Sequence, residues 1–126
     1  MPAYEEGATS VIVPILIQDD RRTDGRGLAG LSYTSVGLMA YYQRTNAGSS
    51  VAITLANMTA GTWVSGGFKE QDPTHMRGWY HFGLPDALFA ATYLGASVHL
   101  QGADHMVDVP LRCELAASSS SPFILV

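Results

Sequence analysis

Side chains able to do chemistry are few and scattered along this chain. The histidines are His75, His81, His99 and His105, and the single cysteine is Cys113. No two histidines have the spacing that sets ligands on one helix face, and one thiolate cannot build a cysteine-based zinc centre. His99 and His105 lie beside Asp104 and Asp108, a grouping that allows a weak metal pair without fixing one. His81 and His99 fall on the outward faces of the strands expected around them, as solvated or interface histidines. Asp19, Asp20 and Asp24 share one loop, and calcium needs several oxygens around one point. Their spacing is not that of an EF-hand, and Arg21 and Arg22 would repel a cation, so the loop reads as an exposed turn.

Nucleophilic catalysis fares no better. Val64-Ser65-Gly66-Gly67 has the second glycine of a serine elbow, but Trp63 stands where the first is required. There is no Gly-rich loop with a following Lys to cradle phosphate, and spacing alone nominates no carboxylate pair across a cleft. The expectation is a protein without catalytic residues, metal or cofactor, and not an enzyme. Trp63, Trp79, Tyr41 and Tyr42 could form a sugar-stacking platform, although aromatic residues in small β domains more often serve core or interface.

Composition narrows the partners. The 126 residues suit one domain, large enough to bury a core without disulfide or metal. Hydrophobic residues make up 47% and charged residues only 14%, against about 25% charged in ordinary soluble domains. The surface is therefore covered by Ser, Thr, Gly, Gln and Asn, or by a partner. Net charge is −4, and the only cluster of cations, Arg21, Arg22 and Arg26, is interleaved with Asp19, Asp20 and Asp24. Neutralising phosphates needs clustered cations, so nucleic acid is not an expected partner. The start of the chain is acidic, with Glu5 and Glu6 where a secretory leader needs a basic segment. The longest apolar run, residues 11–17, is too short to span a bilayer. A soluble, non-membrane product made in the cytoplasm is expected.

The elements that would position these residues read as β throughout. Residues 11–17 are β-branched and apolar on both faces, with Pro14 implying an edge or a bulge because it cannot donate to a ladder. Residues 38–44 and 51–55 are strand-like, joined by the turn Asn46-Ala47-Gly48-Ser49-Ser50, with Val51, Ile53 and Leu55 on one face. A short strand ends at Asp72-Pro73. In residues 78–84, Tyr80, Phe82 and Leu84 point one way and Trp79 and His81 the other. Pro85 opens a short helical turn over residues 85–90. Residues 98–101 and 107–115 alternate, with Val107, Val109, Leu111, Cys113 and Leu115 on the core face and Pro110 outward. Cys113 reads as a small core hydrophobe. About seven short strands separated by turn signals predict an all-β, immunoglobulin-like antiparallel sandwich. Residues 1–10 are expected as an N-terminal arm, in which Tyr4, with the strand beginning at Val11, adds either to another subunit's sheet or to its own. Residues 11–116 form the sandwich. Residues 117–126 are a Ser-rich linker carrying the apolar hook Pro122-Phe123-Ile124-Leu125-Val126. Expected partner contacts are that hook with Tyr4, Trp63 and Trp79.

Several segments together carry a family resemblance. These are Gly27-Leu28-Ala29-Gly30-Leu31, Gly37-Leu38-Met39-Ala40-Tyr41-Tyr42-Gln43-Arg44, Val51-Ala52-Ile53-Thr54-Leu55, Ser65-Gly66-Gly67-Phe68-Lys69-Glu70, Met76-Arg77-Gly78-Trp79-Tyr80 and Leu84-Pro85-Asp86-Ala87-Leu88. Over about residues 11–115 the chain resembles small immunoglobulin-like β-sandwich virion proteins of tailed bacteriophages, from head, neck and tail. The resemblance implies a structural virion protein with no catalytic residues to transfer. It extends neither to the Ser-rich tail nor to the apolar hook. An acidic protein is repelled by packaged DNA, which favours the outer capsid surface or the tail. Apolar ends beyond a small core suit a shared interface. The expectation is a homo-oligomeric capsid cement or decoration protein that binds the major capsid protein or other virion proteins. A baseplate, neck or tail-fibre domain, and a free carbohydrate-binding module, are the alternatives.

Overall fold

A computed structural model describes residues 3–5, 7–90 and 95–116. The strands are β1 (Ala3–Glu5), β2 (Ile12–Leu16), β3 (Met39–Arg44), β4 (Val51–Ile53), β5 (Phe68–Asp72), β6 (Met76–Gly83), β7 (Gly95–Gln101) and β8 (Val109–Ala116). One 3₁₀ turn, Asp86–Phe89, links β6 towards β7.

Two sheets form, a five-stranded one in the order β1-β8-β7-β3-β4 and a three-stranded one in the order β2-β6-β5. Lettered along the chain from A to G, with β4 as C′, these are A-G-F-C-C′ and B-E-D. That is the strand division of an immunoglobulin-like sandwich, with the first strand beside the last instead of beside the second. All pairings between strands are antiparallel except β1 with β8, which is parallel. The segment expected as an arm thus contributes a strand to its own sheet, pairing Ala3–Glu5 with Glu114, Leu115 and Ala116. The Tyr4 ring meets Phe89 edge-on at 5.1 Å. The tail and hook, residues 117–126, lie outside the described residues.

Alternation decides what is buried. On β2, Val13 and Ile15 face inward and Pro14 outward, and β2 is an edge strand, as a ring without an N–H requires. On β6, Tyr80 and Phe82 are fully buried, as is Leu84 just beyond the strand, and all three join one core with Phe68, Leu88, Phe89, Val98 and Leu100. Phe68 and Tyr80 stack with centroids 4.8 Å apart. On β8, Val109 and Cys113 are buried and Pro110 is exposed. Val107 departs from the expected core face, with 40% of its surface exposed. It precedes the first residue of β8, so the alternation that aims Val109 inward does not yet hold there. The turn at residue 85 also differs in detail. Pro85 sits ahead of the 3₁₀ turn in an extended conformation, which a proline ring favours as readily as a first helical position.

Two glycines let the sandwich close at one end. Gly78 has φ +87°, and a Cβ on it would strike the main chain of Gly27 and Leu28. This crossing lets Ile17 N donate to Gly78 O at 2.9 Å and Leu28 N to Ile17 O at 2.7 Å, which ties the chain after β2 to β6.

Candidate interaction face

The outward surface of the five-stranded sheet is built from alternate residues of three adjacent strands. Register places Tyr41 of β3 opposite His99 of β7, and His99 opposite Pro110 of β8. The next row is Gln43, Ser97 and Arg112. Together these side chains line a shallow groove of about 460 Å³. Beside it, Tyr33, Met39, Tyr41 and Ala52 line a second depression of about 250 Å³. Met39 and Tyr41 are 41% and 37% exposed, and Val36 in the preceding loop is 92% exposed. An apolar and aromatic strip therefore crosses the sheet without a layer over it among the described residues. Contiguous exposed apolar side chains rimmed by polar residues mark interaction sites on soluble proteins.

Two polar pairs lie on this face. His99 Nε2 lies 3.1 Å from Asp108 Oδ2, and Arg112 Nε donates to Glu114 Oε1 at 2.9 Å. The face presents hydrogen-bonding edges and rings, with one arginine–glutamate ion pair and one histidine–aspartate contact.

The other histidines are engaged one by one. His81 Nδ1 accepts from Gly61 N at 3.0 Å, and His75 Nδ1 lies 3.0 Å from Asp72 Oδ2. His105 sits 3.5 Å from both Asp20 and Asp104. His99 and His105 thus belong to separate carboxylate pairs, and no three His, Cys, Asp or Glu gather as a metal would need among the described residues.

The loop after β2 is the exposed turn expected of it over residues 20–26, with Asp19 at its start as the exception. Asp19 is buried, its side chain 4% exposed. Its carboxylate accepts from Arg21 Nη2 at 2.8 Å, Arg21 Nε at 2.9 Å and Arg21 N at 3.0 Å. The Arg21 side-chain bonds, and then its main-chain N–H, hold this carboxyl well below the usual range. Asp24 pairs with Arg22 and Arg26. The arginines thus engage the Asp19 and Asp24 carboxylates, while Asp20 lies beside His105. Cys113 is buried, which pushes its thiol up to about 11 and makes it a core group with little thiolate character.

The aromatic residues expected to work together are spread over the molecule. Tyr41 faces outward on the five-stranded sheet and Tyr42, next in the strand, faces inward. Trp63 donates from Nε1 to Leu84 O at 3.0 Å, pinning its loop to the end of β6. Trp79 is half-buried on the other sheet, opposite Leu16. Tyr4 is half-buried against Phe89. Tyr4, Trp63 and Trp79 thus lie at three separate places, and Pro122, Phe123, Ile124, Leu125 and Val126 fall outside the described residues. The residues that do make a shared surface are Tyr33, Met39 and Tyr41 with His99, of which the sequence points to His99 as an interface histidine and Tyr41 as a stacking ring but not to Tyr33 or Met39. Alternation along residues 38–44 pairs Met39 with Tyr41, but only the neighbouring strands reveal that this pair faces solvent.

No protein-family model, curated protein or solved structure matches this chain.

Proposed function

We propose that this protein is a non-catalytic structural module of a tailed-bacteriophage particle, a capsid cement or decoration protein. In this reading it docks on the major capsid protein through the outward surface of the five-stranded sheet. The observation that carries the docking mode is the strip of Met39, Tyr41 and Tyr33 on that surface, flanked by the His99–Asp108 and Arg112–Glu114 pairs. An interface core needs desolvated aromatic and Met side chains with few unpaired charges, and this strip supplies both. The virion setting is supported by the sequence resemblance and by the immunoglobulin-like strand order, and the outer surface by the net charge of −4.

Purified particles analysed by quantitative mass spectrometry test the proposal. Copies in the hundreds per particle fit cement or decoration. A dozen or fewer would move the protein to neck, baseplate or tail fibre, and absence from particles would end the virion reading. Tyr41→Ala should weaken rebinding to stripped particles by about thirtyfold, the scale of a hot-spot side chain, with an unchanged melting temperature.

A further inference from the structure

A cleft of about 670 Å³, which shares Tyr33 with the depression beside the docking strip, lies between the edge strand β5 and the loops around residues 30–33 and 57–60. Its walls mix apolar and polar groups. Leu31, Met58 and Tyr33 lie alongside Asn57, Glu70 and Gln71. Glu70 Oε1 accepts from Gly30 N at 3.0 Å, which anchors the side chain at the cleft. Its other oxygen, Oε2, and Gln71 Oε1 are shielded from solvent and have no hydrogen-bond partner. Two neighbouring acceptors left unpaired are unusual in a folded protein and call for a donor. Both residues line the cleft.

We propose that this cleft is a saccharide-binding site. The chemistry selects that class. Both unpaired atoms are acceptors, so the ligand must bring donors, which hydroxyl groups do. The apolar wall of Leu31 and Met58 and the exposed Tyr33 ring suit the C–H face of a sugar ring. The lining carries one cationic residue, Lys69, and one anionic residue, Glu70, so a cation or an anion would each face a like charge among the residues around the cleft. A neutral, hydroxyl-rich ligand meets neither penalty, and the volume lies within the usual range for small-molecule sites. The site shares no residue with the platform of Trp63, Trp79, Tyr41 and Tyr42 considered from sequence, and it stands independently of where on a particle the protein sits.

The test is a nitrogen-15 NMR titration of the full chain with glucose, galactose, N-acetylglucosamine and their β-linked disaccharides, each to about 20 mM, enough to detect millimolar affinity. Shifts confined to amides of residues 30–33, 57–60 and 69–71 are expected with at least one sugar. Gln71→Ala and Tyr33→Ala, which remove groups without a hydrogen-bonding role in the fold, should each weaken that binding fivefold or more. Glu70→Ala should abolish it, with the folded state checked from the dispersion of the same spectra. The proposal is overturned by no shift with any of these sugars, by shifts mapping elsewhere, or by shifts surviving both Gln71→Ala and Tyr33→Ala. Arginine amide, run alongside, overturns it if it alone moves these amides. Particle copy number is a separate readout, so this site and the virion reading can fail independently.

Discussion

Tyr80 shows how one polar atom organises a loop from within the core. The side chain is fully buried, yet its hydroxyl donates to Leu28 O at 2.6 Å and accepts from Leu31 N at 3.1 Å. The loop that lines the cleft is thereby fastened to β6. Burial pushes this phenol up to about 12, so the bond to Leu28 persists over any pH at which the protein is handled. Tyr80→Phe keeps the ring stack on Phe68 and strands two main-chain groups, which should cost about 1–3 kcal/mol in urea unfolding. A smaller loss would mean that water replaces the hydroxyl. Asp19 makes a pH-dependent contribution of defined sign. Its carboxyl is depressed in the folded state and ordinary, near 3.9, in the unfolded chain. Its stabilisation is therefore present above about pH 4 and is lost as pH falls below that towards the folded value. Asp24 and Asp72, also lowered, act in the same direction. Asp19→Asn should melt lower than the parent at pH 7 and lose less of its melting temperature between pH 7 and about pH 2.5. Parallel melting curves for the two proteins would remove Asp19 from the acid response.

At the level of elements, β2 illustrates what the sequence could and could not reveal. Pro14 in an apolar β-branched run already implies an edge strand, and the structure places it there, opposite His81. The same ring leaves no N–H for an added strand, a device that blunts edge-to-edge association. Pro14→Val should restore that donor beside Val13 and Ile15 and produce concentration-dependent dimers or aggregates in light scattering, with little change in the fold. A monomeric Pro14→Val at high concentration would show that another feature guards the edge. The strands around Tyr80, His99 and Leu111 were equally legible, because alternation over four or more residues fixes an inward face. The ends of elements were not. Val107 extends the alternation of β8 on paper but lies before the ladder begins, and Pro85 fits either a helix start or the extended residue before one. The burial of Asp19 was also hidden, since a run of Asp and Arg reads as solvated until Met106 is known to pair with Asp19 across 87 residues of sequence.

For the whole molecule, the question is which surface faces a partner, and here alternation is silent. It says that Met39 and Tyr41 share a side of β3, while the five-stranded order that leaves this side uncovered arises from pairing with β4, β7 and β8. The cleft beside β5 was invisible for the same reason, as it joins residues near positions 31, 58 and 70. The proposed docking face differs from the rest of the surface in electrostatic character. The protein carries net −4, but on this face Glu114 is paired with Arg112 and Asp108 is in hydrogen-bond contact with His99. Attachment through it should rest on apolar contact, which salt does not screen. Raising sodium chloride from about 0.1 M to about 1 M shortens the screening length from about 10 Å to about 3 Å. Affinity for stripped particles, measured by co-sedimentation, should then change by less than about threefold. A fall of about tenfold or more would mean that unbalanced charge does the docking. The contact would then lie at a charged site such as the Asp104 and Asp20 carboxylates around His105, and Tyr41→Ala would leave binding untouched.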